Sequence, residues 1–323
     1  IMSKNLLWSA LIVLVLGIFA AFSGWYAHRR LGLNVRGNYT FAQTRGNIAR
    51  LQRIKMTTAD GEINVYEKNG IWYIKEAADY FVNAEQLAAF YNMLNNSVIV
   101  AADENKTSEW QSYGLDDAEK TVVETFDDEG NLLDKINIYG GSSDEEFRYA
   151  KRDEYPYVYT ISAVGAFSGA AGAWMPFPLL EIPARIIENI KLPDASLSKE
   201  AIAAYLPKSA SLQNLTAALS YISYQGIAFK KDFTADFPQA APHQIRVETE
   251  IGLVYVLNVY QPAENDYWLA VSLESLRLAR KEVQPFIAEN QKYFADWVFN
   301  LDDSQGKILF NSRAVNLTDS FHF

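Results

Sequence analysis

The sequence predicts an α+β protein, with an N-terminal transmembrane helix followed by two tandem α+β domains. Many short segments alternate apolar and polar residues and are separated by Asp-Gly, Asn-Gly or acidic turns, which is the pattern of antiparallel meander sheets. Other segments carry apolar residues at helical spacing, which indicates helices packed on one face of each sheet. Residues 6–27 contain no charged residue and are numerous enough to cross a bilayer as a helix.

Residues 1–30 are predicted to form the membrane anchor. Basic residues flank the uncharged stretch, and tryptophans lie near both of its ends, as interfacial aromatics do. A cleaved signal peptide is the alternative, because residues 21–23 fit a small-x-small cleavage pattern. The positive-inside rule would place the large domains in the cytoplasm, since Arg29 and Arg30 make the C-terminal flank the more basic one. The absence of cysteine instead favours an oxidising compartment.

Small residues recur at four-residue spacing inside the predicted anchor. Gly17 and Ala21 form one such pair, and Ala20 and Gly24 form a second. Small side chains at this spacing let another membrane helix approach closely. These four residues are therefore candidates for a helix-packing interface, although glycine and alanine are also common in membrane helices without a partner.

The first domain is predicted over residues 31–161. Asn83 is a good helix N-cap, and the segment that follows has apolar residues at helical spacing. Gly114 marks the end of a second, shorter helix. We predict strands over 48–57, 63–68, 71–75, 97–101, 121–126, 132–139, 147–151 and 157–161, and helices over 84–94 and 106–113.

Residues 162–183 change composition to Gly and Ala, then to Pro and apolar residues, and are predicted to be a connector. Trp174, Met175 and Phe177 in this connector are predicted to pack between the domains. The alternative is a loop that touches the membrane or binds a partner, because exposed apolar patches often mark interfaces. The second domain, 184–323, is predicted to be a shorter repeat of the same plan. Its predicted strands are 223–230, 244–249, 252–260, 267–272 and 297–299, and residues 186–192 are a strand or the edge of a helix. Its predicted helices are 212–222 and 273–295, the latter with an interruption at Pro285 as the alternative.

The sequence offers no pattern for catalysis, and we predict no catalytic, cofactor-binding or metal-binding residue. The net charge of −10 disfavours nucleic acid as a partner. Thiolate chemistry is excluded because there is no cysteine, and the three histidines lack ligand spacing. His243 is predicted to be an ordinary surface residue. Acidic clusters such as Asp127-Asp128-Glu129 are interpreted as solvated turns, with a cation site or an acid/base pair as the alternative.

Several segments resemble a bacterial family known as the domain of unknown function 4340. They are MTTADGEI at 56–63, GIWYIKE at 70–76, YGLDD at 113–117 and, in the second half, YWLAV at 267–271 and ADWVF at 295–299. Ala118 stands where most members have proline after the two aspartates. The matching residues are turn glycines, core aromatics and caps, so they specify a fold and bring no catalytic residue. The resemblance implies an N-terminal membrane helix and genes beside gliding-motility-type ABC transporter subunits.

Three functional hypotheses follow. The first is a non-catalytic, single-pass protein of the bacterial inner membrane with periplasmic domains, which docks on an ABC transporter permease or its periplasmic subunits. The second is a periplasmic binding module for a cell-envelope glycan or lipid, because the chain has 7 Trp and 19 Tyr for stacking. The third is a carboxylate-based hydrolase, which would need two carboxylates from different turns to face one cleft.

Overall fold

A computed structural model describes residues 18, 20, 23, 35–104, 120–139, 146–153, 155, 157–162 and 168–313. The chain divides into two compact units. The first comprises Ile1–Trp72 and Ala84–Ala173, and the second comprises Tyr73–Asn83 and Trp174–Phe323. Most of the predicted anchor lies outside the described residues. Among those that are described, no helix is both long enough and apolar enough to cross a bilayer.

The first sheet has nine strands in the order β4-β3-β2-β1-β6-β7-β8-β9-β5. The alternation read from the sequence accounts for its core, because successive side chains of a strand point to opposite faces. Met56 of β1 lies opposite Ile63 of β2, and both side chains are fully buried. The strands are β1 Leu51–Thr58, β2 Gly61–Lys68, β3 Ile71–Ile74, β4 Tyr80–Phe81, β5 Ile99–Glu104, β6 Thr121–Asp127, β7 Leu132–Tyr139, β8 Phe147–Lys151 and β9 Tyr157–Ser162.

The helices α1 (Ala42–Gly46) and α2 (Ala84–Asn96) accompany the strands of the first unit. Helix α2 buries Phe90, Met93 and Leu94, which lie on one helical face, and the prediction of a helix here is confirmed. The predicted start of the first strand was too early, because Ile48–Arg50 form a 3-10 turn. The predicted helix over 106–113 lies outside the described residues.

The second sheet has seven strands, all antiparallel, in the order β11-β10-β13-β14-β15-β16-β12. Its long central pair supplies most of the buried apolar side chains, with Leu257 facing Val271 across the ladder. The predicted return of the segment around Val298 to the sheet is confirmed. The strands are β10 Ile187–Lys191, β11 Ser196–Ser198, β12 Gly226–Phe229, β13 His243–Thr249, β14 Leu253–Ala263, β15 Asp266–Ser275 and β16 Trp297–Leu301.

The helices of the second unit are α3 (Lys199–Tyr205), α4 (Ala210–Ser220), α5 (Lys230–Asp236), α6 (Val283–Asn290) and α7 (Asp303–Phe310). Side chains cap three of them: Ser198, Ser209 and Asp302 each accept a hydrogen bond from the backbone N–H three residues later. The prediction of α4 is confirmed within two residues at each end. Helices α3, α5 and α7 were not predicted.

The predicted long helix over 273–295 is wrong. Strand β15 extends to Ser275, and the helical part is only α6. Leu269, Val271 and Leu273 are buried at every second position, and Ser272 and Glu274 are more exposed, so these residues continue the period of the strand rather than start a helix. Pro285 lies in the first turn of α6, where its missing N–H costs nothing. With its two antiparallel sheets and its helices, the protein is α+β, as the sequence predicts.

Candidate binding surfaces

The three predicted partner-contact residues have different surroundings. Trp174 and Met175 are buried, and the carbonyl of Trp174 accepts a hydrogen bond from the backbone N–H of Asn83 at 2.7 Å. The side chain of Phe177 is 56% exposed. Of the three, Phe177 therefore offers the most surface to a partner.

The predicted helix-packing residues are mostly outside the described part of the chain. Gly17, Ala21 and Gly24 lie there, so their packing stays a prediction. Ala20 is helical and exposed, and its carbonyl accepts a hydrogen bond from the hydroxyl of Ser23 at 3.0 Å.

The connector that carries Phe177 is fixed by hydrogen bonds to the segment after α4. The N–H of Ile222 donates to the carbonyl of Leu180 at 2.8 Å, and the N–H of Leu179 donates back to the carbonyl of Ile222 at 2.9 Å. The hydroxyl of Tyr224 donates to the carbonyl of Pro176. The backbone on both sides of Phe177 is thus anchored, which limits the conformational entropy that a partner would have to remove.

Phe177 and Tyr221 form an exposed aromatic pair. Their ring centroids are 5.6 Å apart and their planes meet at 77°, the edge-to-face arrangement that aromatic rings favour. Tyr221 is 46% exposed, so both rings keep a large open surface. Aromatic side chains are enriched at the energetic centres of protein interfaces, and this pair is the first candidate surface.

A second candidate is a cavity in the first unit, which we call the tyrosine cavity. Its volume is about 370 Å³, which is within the range of small-ligand sites. Aromatic rings and one guanidinium are its main features. Its walls include Asn38, Tyr39, Ile99, Arg152, Tyr155 and Tyr159.

Hydrogen bonds and charge fix the walls of the tyrosine cavity. Arg152 donates to the carbonyl of Thr40 at 2.6 Å, and its guanidinium lies 3.5 Å from Oδ1 of the buried Asp134. The guanidinium of Arg45 stacks over the ring of Tyr39, 3.8 Å from the centroid, and holds that ring in place. The cavity thus offers aromatic faces beside a cation.

Asp134 is a buried carboxylate behind this wall. The N–H and hydroxyl of Thr44 donate to its Oδ2 at 2.7 and 2.8 Å, whereas its Oδ1 accepts no hydrogen bond from the residues that the structure describes. Burial raises the pKa of Asp134 above the ordinary aspartate value, although the bonds from Thr44 and the charge of Arg152 act against the rise. Arg152 therefore contacts Asp134 and also lines the tyrosine cavity.

The acidic cluster at 127–129 is a turn, as predicted. Oδ1 of Asp127 accepts hydrogen bonds from the N–H groups of Glu129 and Asn131 at 3.0 and 2.8 Å. Arg50 lies 3.3 Å from Asp127, 2.8 Å from Asp128 and 3.0 Å from Glu129, and so offsets part of the negative charge of the cluster. In the part of the chain that the structure describes, no three His, Asp or Glu side chains could together hold a metal ion. Two further acidic clusters of the sequence, Asp116-Asp117 and all of Asp144-Glu145-Glu146 except Glu146, lie outside that part.

The prediction that His243 is an ordinary surface residue is wrong. His243 opens β13 and is buried, with Nε2 3.1 Å from the hydroxyl of Ser312 and its ring against Phe310. Burial lowers the pKa of His243 below the usual histidine value. Phe310, at the end of α7, and Ser312 contact this ring, and no local pattern around His243 indicates that long-range contact.

One family matches the chain. The family described as "Domain of unknown function (DUF4340)" matches residues 72–217. Residues 72–217 are therefore similar to this family. The match begins after the MTTADGEI motif, includes the connector with Phe177, and ends within α4. No curated protein and no solved structure matches the chain.

Sequence reasoning found Phe177 and missed the tyrosine cavity. Tyr39 lies in a stretch without hydrophobic period, and Arg152 and Tyr155 lie between two predicted strands. Isolated polar and aromatic loop residues carry no local pattern, so only the pairing of β8 with β9 and of β9 with β5 brings them together. The only signal for this cavity in the sequence was that Arg152 and Tyr155 lie three positions apart in one turn.

Proposed function

We propose that the protein is a non-catalytic accessory subunit of an ABC transporter complex in the bacterial inner membrane. Residues 6–27 would form its single membrane span, and its two α+β units would lie in the periplasm. The similarity of residues 72–217 to this family supports the link with transporters by resemblance, and the absence of cysteine favours the periplasm. The partner is a transporter permease or one of its periplasmic subunits.

The Phe177–Tyr221 pair is the observation that supports protein docking as the mode of action. Each ring is about half exposed, and both belong to backbone segments that are hydrogen-bonded to one another through Ile222. Covering an aromatic ring at the centre of an interface is worth about 2 kcal/mol or more. A partner that covers both rings therefore gains enough free energy for a specific contact.

Site-specific photo-crosslinking in cells tests this proposal. A benzophenone amino acid at position 177 should cross-link to an ABC transporter permease or periplasmic subunit. The same amino acid at Phe147, which is 44% exposed in the first unit, is the matched control. Equal cross-linking from both positions, or none to any transporter subunit from position 177, would contradict docking through the aromatic pair.

A second function, binding of a cell-envelope glycan, is favoured by the tyrosine cavity. Aromatic faces stack on sugar rings, and Asn38 and Arg152 could donate hydrogen bonds to sugar hydroxyls. Calorimetric titration of the full chain with soluble peptidoglycan fragments tests this function. Tyr39→Ala should weaken binding roughly tenfold, the equivalent of about 1.4 kcal/mol, whereas Tyr221→Ala in the second unit should not. No heat of binding with the unaltered chain would remove this candidate.

A further inference from the structure

A loop of the second unit, residues 276–281, is held rigidly between β15 and α6. The N–H of Leu276 donates to the carbonyl of Gly252 at 2.9 Å, and the N–H of Arg280 donates to the carbonyl of Ile251 at 2.8 Å. Gly252 has a φ of +86°, and a Cβ there would lie 2.5 Å from Cα of Ala279. The loop is therefore packed directly on the turn between β13 and β14. We call it the Leu278 loop.

The tip of the Leu278 loop projects an apolar side chain into solvent. Leu278 is 93% exposed, more than any other large hydrophobic residue that the structure describes, and Leu276 beside it is 37% exposed. A single exposed leucine needs no explanation by itself. Leu278 differs from such a leucine because it lies at the tip of a loop whose conformation is fixed by other contacts, to which its side chain does not contribute.

The same loop concentrates positive charge on a chain whose net charge is −10. Arg277, Arg280 and Lys281 are all exposed, and none of them forms an ion pair within the described residues. The acids that flank the loop along the chain are Glu274 and Glu282, and Glu250 lies beside Ile251, which the loop contacts. Two of these acids are already paired, because Glu274 lies 2.8 Å from Arg246 and Glu250 lies 3.7 Å from Lys199. The loop therefore carries a local excess of cations around its leucine.

We propose that the Leu278 loop contacts the surface of an anionic lipid bilayer. The guanidinium and ammonium groups bind lipid phosphates, while Leu278 enters the interface between headgroups and acyl chains. A bilayer accepts a protruding side chain without a matching cleft, whereas a protein partner would need a cleft shaped for Leu278. The proposal is independent of docking through the Phe177–Tyr221 pair.

Fluorescence from two single-cysteine variants tests the proposal. Because the chain has no cysteine, Leu278→Cys or Leu132→Cys alone can carry a neutral environment-sensitive dye. Leu132 is the matched control, since it is also exposed, 51%, but follows the acidic turn at 127–130. Each full chain is reconstituted into vesicles of phosphatidylcholine alone, or of phosphatidylcholine and phosphatidylglycerol in equal parts. Both kinds of vesicle carry a lipid-attached quencher. The dye fluorescence is measured on the protein that floats with the vesicles.

With phosphatidylglycerol, the dye at position 278 should shift to the blue and be quenched, whereas the dye at position 132 should not. The double change Arg277→Gln and Arg280→Gln should weaken the contact by roughly twenty-five-fold, since each cation near an anionic surface raises the affinity roughly fivefold. Salt at about 1 M, where the screening length is near 3 Å, should have a similar effect.

Three results would overturn the proposal. The first is equal quenching at positions 278 and 132. The second is quenching at position 278 that does not depend on phosphatidylglycerol or on the two arginines. The third is a change at position 278 that appears only when a protein partner is added, which would assign the loop to protein docking.

Discussion

Gly252→Ala is the substitution that the structure makes most consequential for the second unit. An alanine at a φ of +86° is in the left-handed region, which costs about 1–2 kcal/mol for a residue with a Cβ. The new Cβ would also lie 2.5 Å from Cα and 2.7 Å from Cβ of Ala279. Backbone atoms cannot move aside cheaply, so overpacking adds about 1–3 kcal/mol. The expected total is about 2–5 kcal/mol, and the Leu278 loop should lift from the turn.

Comparison with Gly130→Ala separates the two costs. Gly130 has a φ of +82°, and a Cβ there would have no atom within 4 Å, so its alanine variant incurs only the backbone cost. Hydrogen exchange read by mass spectrometry should show faster exchange at the N–H groups of Leu276 and Arg280 in Gly252→Ala. Urea unfolding gives the free energies. Equal losses in both variants, with unchanged exchange in the loop, would refute the packing argument.

Three other substitutions test separate contacts. Burial raises the pKa of Asp134 in the folded state, so the free energy of unfolding falls as pH rises from the ordinary aspartate pKa through the raised one. Asp134→Asn should remove this pH dependence of the free energy of unfolding. Urea unfolding over that pH window would show the difference. Trp297→Phe should cost about 1–3 kcal/mol in urea unfolding, since it removes the indole hydrogen bond to the carbonyl of Ala78 at 2.8 Å. Gly306→Ala should cost about 1–3 kcal/mol and lower the melting temperature, because its Cβ would lie 2.3 Å from Cβ of Tyr267.

Elements with a strong local period were predictable from the sequence. Strands β6 and β7 and helix α2 have both the right period and clear turn or cap residues, so local and tertiary preferences agree. Helix α6 was mispredicted because the apolar residues of β15 lead into a charged segment that also suits a helix. Only the pairing of β15 with β14, which runs to Ser275, decides in favour of the strand.

The candidate surfaces were predictable only where composition singled out a segment. The apolar connector drew attention to Phe177, but the sequence could not tell that Trp174 beside it is buried, because burial depends on contacts with distant residues. The tyrosine cavity depends on Arg152 reaching Thr40, more than a hundred positions away. Such contacts follow from sheet topology, which a single sequence does not specify.

Purification of the full chain in a gentle detergent, with mass spectrometry of the proteins that accompany it, is the decisive test of the proposed function. The same measurement on the chain without residues 1–30 is the control. We expect an ABC transporter permease or its periplasmic subunit to accompany the full chain, and its amount to fall sharply without the predicted anchor. A chain that elutes with no transporter subunit in either form would contradict the proposed function.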